Sequence, residues 1–234
     1  MYEELKKAVY DANIELQKQK LVIYSWGNVS GIDHSAGVMA IKPSGVPYDE
    51  LSPEKMVLLN VDGKVIEGNL KPSSDTPTHL ELYRNFEVIG GICHAHSPFA
   101  TMWAQACKEI PCLGTTHADH FYGSIPVTEV MTKDQIQRNY ELNTGKIIVR
   151  RLAGVNPVEI PAVLVANHGP FTWGKTPAAA VESMVVLEQA AAMALGTIMI
   201  NPNQGPISKV LLEKHFLRKH GKNAYYGQQG PDAQ

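Results

Sequence analysis

Two histidines one residue apart, His94 and His96, follow the apolar run Val88-Ile89-Gly90-Gly91-Ile92-Cys93. A run of this length, bounded by glycine and proline, reads as a buried strand. Side chains at i and i+2 of a strand leave the same face, here about 6 to 7 Å apart along the chain. At that spacing two imidazole nitrogens converge on one divalent ion at about 2.0 to 2.1 Å each. A third ligand must come from elsewhere. His168 is the best placed, just after a second strand-like run, Ala162-Val163-Leu164-Val165-Ala166. A lone histidine is usually an ordinary polar or core residue, but the shared face and the strand-end His168-Gly169 favour a metal site. Three neutral imidazoles leave an open coordination position, as catalytic zinc requires. Asp75 stands just before an expected helix, either as a fourth ligand or as an acid favoured by the helix dipole.

Three small-residue strings carry what a phosphate needs: Trp26-Gly27-Asn28-Val29-Ser30, Lys42-Pro43-Ser44-Gly45 and Lys71-Pro72-Ser73-Ser74-Asp75. Serine hydroxyls, glycine N–H groups and a nearby lysine bind phosphoryl oxygens. Most Pro-Ser-Gly strings are simple turns, and each of these alone reads as one. In Gly114-Thr115-Thr116-His117-Ala118-Asp119-His120, Asp119 is either a general base near the metal or a surface loop acid. The C-terminal run from His215 to Lys222 is basic, as a solvated helix end often is. The Tyr225-Tyr226 pair beyond it is unusual for a frayed tail.

The elements that must position these groups follow from periodicity. Leu5, Val9, Ala12 and Leu16 predict an amphipathic N-terminal helix. Ser52-Pro53, Thr76-Pro77, Ser97-Pro98 and Thr176-Pro177 share a helix-start signature, a hydroxyl cap followed by proline. The last three lead expected helices over 78–86, 99–108 and up to about 194. Asp62-Gly63 predicts a hairpin between Val57-Val61 and Lys64-Glu67. Further strands are expected at 21–24, 38–41, 147–149 and 161–166. With no linker or repeat, the chain of 234 residues reads as one α/β domain, a central mixed or antiparallel sheet covered by helices. It is 44% hydrophobic and 19% charged, which is globular rather than disordered. A net charge of −2 supplies no global field for nucleic acid. Cys93, Cys107 and Cys112 read as reduced thiols of a cytoplasmic protein. The charged first turn argues against a signal peptide, and the apolar stretch 190–200 is too short to span a bilayer.

Taken together, WGNVSG, IKPSGV, KPSSDTPTH, HAHS, GTTHADHFYG, NHGPFTWG and HFLRKHGKNAYYGQ resemble the L-ribulose-5-phosphate 4-epimerase family of the class II aldolase/adducin-like superfamily. The strings run in order over nearly the whole chain. WGNVSG and the spaced histidines alone would indicate only the superfamily. The resemblance implies a single α/β domain with a largely antiparallel sheet between helices, assembled as a C4 homotetramer. It places zinc ligands on His94, His96 and His168 with Asp75 near the metal, one ion per subunit; Mn²⁺ or Co²⁺ would also suit three histidines. Phosphate-binding positions fall on Gly27, Asn28, Ser44, Gly45, Ser73 and Ser74, with Lys42 close by. Acid/base positions fall on Asp119 and Tyr226, the tyrosine reaching in from a neighbouring subunit. Thr115, His215 and Arg218 fall beside the substrate, the last two near that interface. The tail 229–234 extends past the matched strings and is expected to be disordered.

The implied chemistry inverts C4 of L-ribulose 5-phosphate to give D-xylulose 5-phosphate, a route shared by arabinose and ascorbate degradation. The C4 hydrogen is not acidic, so a retro-aldol break of C3–C4 replaces deprotonation, with the metal as Lewis acid toward the enediolate of dihydroxyacetone. Glycolaldehyde phosphate turns over its carbonyl face, and the bond reforms. Two faces need two acids or bases. The nearest rivals are L-fuculose- or rhamnulose-phosphate aldolases, which carry Glu at the Asp75 position and lack the His117-Ala118-Asp119 string. A non-catalytic, adducin-like interaction domain is expected to lose the metal histidines, which this chain keeps.

Overall fold

A computed structural model of the chain describes residues 2–222 and 224–226. The expectation for 229–234 lies outside the described residues. Helices α1 (Glu3–Lys18), α2 (Thr76–Asn85), α3 (Pro98–Gln105), α4 (Thr115–Ala118), α5 (Lys133–Gln137), α6 (Tyr140–Arg151), α7 (Pro177–Ile200) and α8 (Lys209–His220) surround one sheet. Its strands are β1 (Asn28–Asp33), β2 (Val38–Ile41), β3 (Val57–Asn60), β4 (Val65–Glu67), β5 (Gly91–His94), β6 (Ala162–Val165) and β7 (Gly169–Gly174). Their order is β4-β3-β2-β1-β5-β7-β6, and every neighbouring pair is antiparallel. The expected sheet between helices is what the structure has.

Strand alternation feeds apolar packing on both faces of the sheet. Val29, Cys93 and Leu164 face α1, α3 and α7, meeting Ala12, Leu16, Ala104, Met184 and Leu187. Ile92, Val163, Val165 and Phe171 face α2 and α6, meeting Leu80, Leu82, Ile147 and Ile148. Ile147, Ile148 and Val149 form no strand, contrary to expectation: they lie inside α6. Buried Thr144, Ile147 and Ile148, then Leu152, recur at helical spacing, and that burial outweighs β-propensity. Residues 21–24 form no strand either; positive φ at Lys20 and Tyr24 turns the chain out of an extended path. Ser52-Pro53 leads only a 3₁₀ turn over Pro53–Lys55. Of the four hydroxyl starts, Thr176 makes its cap bond, accepting from Ala179 N–H at 3.1 Å. The helix starting near Thr76 takes Asp75 at its cap position instead.

The Asp62-Gly63 hairpin joins β3 and β4 as expected, with Gly63 at φ 83°. Helix α7 runs six residues past its expected end. It is long and apolar enough to cross a membrane by length and composition alone, with mean hydropathy 1.6. Its buried side, from Ala180 through Met184 and Leu187 to Ala194, packs on β5, β7, α1 and α3 as the central helix of the fold. Met199 and Ile200 at its far end stand exposed.

Candidate metal centre and active site

The antiparallel order gathers the chemistry-bearing strings at one end of the sheet. Asn28 opens β1 directly opposite His94, the last residue of β5. Ile41 closes β2 on the same side, which delivers Lys42 and the loop after it. The turn between β6 and β7 carries His168, and His94 pairs with Phe171 of β7. Asn167, at φ 61°, makes the tight turn that presents His168. Gly27 also turns with positive φ, 71°, and a Cβ there would meet His94 O at 2.9 Å. Only glycine lets the first string lie this close to the end of β5.

His94, His96 and His168 meet as a triangle of rings, with centroids 5.0, 4.8 and 5.0 Å apart and planes steeply inclined. Their ligand atoms all lie within 4.8 Å of one another. The expected common strand face is not how this happens, because β5 ends at His94 and His96 lies in the turn entering α3. His94 Nδ1 donates to Pro170 O at 2.9 Å, which leaves the Nε2 lone pair facing the other histidines. His94 Nε2 and His96 Nε2 stand 3.2 Å apart. Two nitrogens sharing one tetrahedral ion at ordinary Zn–N lengths stand about 3.3 Å apart. Burial, followed by the neighbouring His94 and His96, pushes the His168 pKa down to about 3, so its imidazole is neutral and able to ligate. The donor set fits a divalent ion.

Asp75 stands outside that group of ligand atoms but beside it. Burial would raise its pKa; His94, His79, the Asn28 hydrogen bond and His168 outweigh that and hold it below the usual carboxylate range. Asn28 Nδ2 donates to Asp75 Oδ2 at 2.6 Å, and Asn28 Oδ1 is buried with no partner among the described residues. Behind them runs a buried chain in which Ser30 Oγ lies 2.7 Å from His79 Nδ1 and 2.8 Å from the Tyr83 hydroxyl.

The two Lys-Pro-Ser strings lie side by side. Pro43 bridges Pro72, Ser44 N–H donates to Lys71 O at 2.9 Å, and Ser73 N–H donates to Lys42 O at 3.0 Å. Ser44, Gly45 and Ser74 are exposed there, and Ser73 is buried, with its Oγ accepting from Asp75 N–H at 3.3 Å. Lys42 is buried. Its Nζ donates to Ser25 O, Val46 O and Pro43 O at 3.1, 2.9 and 3.4 Å and sits over the Tyr48 ring. Burial brings its pKa down to about 8. Its role in this structure is to tie these loops together.

Asp119 caps α4, and all its hydrogen bonds and ion pairs among the described residues run within α4 or to α8, none to His94, His96 or His168. It accepts from His215 Nδ1 at 3.0 Å and from Arg218 Nη2 at 2.8 Å, with Lys219 Nζ at 3.8 Å. Burial pulls its pKa up, but the Arg218 and His215 hydrogen bonds and the cations outweigh that and keep it ionised. Tyr226 belongs to the same cluster: the Arg218 guanidinium lies 4.6 Å from its ring centroid. Thr115, half-buried, opens α4. Tyr140, in none of the strings read from the sequence, places its hydroxyl 3.4 Å from His168 Nδ1.

A sheet of this topology with a histidine triad at its strand ends defines a class II aldolase-type fold, and the chain belongs to the class II aldolase and adducin N-terminal domain family, which it matches over residues 7–195. Within that family, it is 51% identical over 226 residues to the L-ribulose-5-phosphate 4-epimerase UlaF of Salmonella paratyphi A, covering 97% of this chain and 99% of that one. Among solved structures, an L-fuculose 1-phosphate aldolase superposes with a TM-score of 0.74 at 25% identity, over 91% of this chain and 94% of the other. An L-fuculose 1-phosphate aldolase from Glaciozyma antarctica PI12 gives the same TM-score at 19% identity, over 92% and 80%, and shows the shared fold.

Proposed function

We propose that this protein is an L-ribulose-5-phosphate 4-epimerase, interconverting that ketose with D-xylulose 5-phosphate by breaking and reforming C3–C4. The observation that carries the reading is the convergence of three neutral-capable imidazoles with Asp75 and two serine-rich loops at one sheet end, in a chain half identical to proteins named for this reaction. His94, His96 and His168 hold one divalent ion, zinc in the first instance, and the ion when bound supplies Lewis acidity toward the electron pair left by C3–C4 cleavage.

The chain's own groups do the rest. Ser44, Gly45, Ser73 and Ser74, with Gly27 and Asn28, hold the phosphate and so tether the departing fragment while it turns over. Lys42 holds the loops that carry them. Asp119, ionised, takes the C4 hydroxyl proton on one face, and the Tyr226 hydroxyl returns one on the other. Asp119 and Tyr226 share Arg218 within one chain. We infer that they travel as one unit, with Thr115 and His215, to the histidine triad of a neighbouring subunit in a homotetramer. The exposed end of α7, Met199 and Ile200, supports burial against another copy. We place the protein in the cytoplasm, in keeping with its free Cys93, Cys107 and Cys112.

Incubation with L-ribulose 5-phosphate tests the reading. D-xylulose 5-phosphate is the expected product. Accumulation of dihydroxyacetone and glycolaldehyde phosphate would instead assign an aldolase.

A further inference from the structure

Tyr140 is the first residue of α6, and its hydroxyl meets His168 on the Nδ1 side at 3.4 Å, with ring centroids 6.1 Å apart. A metal-ligating imidazole ordinarily hands its second ring N–H to a fixed acceptor, which sets the tautomer and aims the lone pair. For His94 that acceptor is the Pro170 carbonyl, built into β7. His168 sits in a turn, and the group beside its Nδ1 is the Tyr140 hydroxyl.

The tyrosine is itself held firmly. Asn139 precedes it at φ 56°, and Asn143 Nδ2 donates to Gln135 O and Arg138 O at 3.0 and 2.6 Å, closing the turn before α6. Thr144 Oγ1 donates to Tyr140 O at 3.0 Å. Thr78 Oγ1 donates to Glu141 O at 2.6 Å, so the start of α6 is fixed to the start of α2, where Asp75 stands.

We propose that Tyr140 is a positioning residue for the metal centre: its hydroxyl accepts from His168 Nδ1–H and holds His168 Nε2 aimed at the centre of the triad. A tyrosine hydroxyl that accepts this bond keeps its own proton for a second contact inside the site. The inference rests on reading the triad as a metal site.

The test compares wild type, Tyr140→Phe and His168→Asn. Zinc dissociation constants come from chelator competition, and the cobalt-loaded forms are read by visible absorption. Melting curves of the metal-free proteins control for folding. Tyr140→Phe is expected to bind zinc about 10- to 100-fold more weakly. Its cobalt bands should shift, while its metal-free form melts with wild type. His168→Asn should lose tight binding altogether. If wild type binds zinc, His168→Asn does not, and Tyr140→Phe matches wild type in affinity and spectrum, the Tyr140 proposal falls and the metal site stands. A wild type that binds no metal overturns both. A Tyr140→Phe protein whose metal-free melting falls as far as its loaded form marks a packing role and overturns the proposal.

Discussion

Gly145 lies buried where α6 packs on α2, and replacing it with alanine is a sharp perturbation of the site from a distance. An added Cβ would stand 2.7 Å from Glu81 Cβ, 3.0 Å from Glu81 Cγ and 3.2 Å from Thr78 O. Carbon atoms rest comfortably at about 3.5 to 4.0 Å, so the two helices must part by roughly 1 Å. Overpacking of this kind costs about 1 to 3 kcal/mol. Alanine's helical preference over glycine returns about 1 kcal/mol. The net expectation for Gly145→Ala is a loss of up to about 2 kcal/mol. The effect on catalysis should be larger in proportion, because α2 begins beside Asp75 and α6 begins at Tyr140. A misplacement of about 1 Å in such groups costs on the order of 10²-fold in rate. Urea unfolding and kcat/KM for epimerisation measure the two effects. Gly196→Ala in α7 is the control: among the described residues nothing lies within 4 Å of its added Cβ. That change should stabilise by about 0.5 to 1 kcal/mol and leave activity alone. If Gly145→Ala is as active as wild type, the two helices do not set the site's geometry, and the reasoning fails.

Chelator dialysis should abolish epimerisation, and added Zn²⁺ should restore it; full activity after proven metal removal would refute the metal-dependent reading. Ser44→Ala should raise KM about tenfold or more, the kinetic equivalent of losing a charge-assisted hydrogen bond of about 1.5 to 3 kcal/mol, whereas unchanged KM would remove Ser44 from the phosphate site. Mixing inactive His96→Asn with inactive Tyr226→Phe, under conditions of subunit exchange, should recover activity. Asp119→Asn mixed with Tyr226→Phe should not, because those two groups come from one chain; the opposite pattern would divide the Asp119–Tyr226 unit. Burial brings the pKa of His117 down to about 4, against a hydrogen bond to Gly123 O that raises it. Its folded pKa lies below its unfolded value near 6.5, so its contribution to stability is complete above about pH 6.5 and is lost as pH falls toward 4. The whole shift is worth about 3 kcal/mol. His117→Gln should therefore show a smaller loss of stability between pH 7 and 5 than wild type, and equal losses would discount the burial argument.

The triad was legible in the sequence because histidines at i and i+2 after an apolar run, plus one after a second run, carry their own geometric argument. The three histidines do meet, but by a different path from a shared strand face. Convergence needs the chain to leave β5 at His94 and turn into α3, and no strand periodicity encodes that turn. The β1 start at Asn28 hid inside a string that reads locally as a turn, since a glycine with positive φ immediately precedes it. Ile147-Ile148-Val149 misled because three β-branched residues outvote helical spacing in a short window. Asp119's partners on α8 and Tyr140's approach to His168 arise from contacts far apart in sequence. Neither follows from local pattern.

The triad's three imidazoles come from the end of β5, the turn after it and the β6–β7 turn, and β7 lies between β5 and β6 in the sheet. An ion shared among them is therefore also a cross-link. It joins chain positions 94 and 168, which the unfolded chain keeps far apart, and only a completed sheet brings them together. A free ion that bound the native state and not the unfolded chain would deepen its stability by mass action, more so as its concentration exceeded its dissociation constant. On the proposed reading the ion would fasten the fold as well as serve as a reagent, and a cell short of that metal would hold less of the protein as well as a slower one.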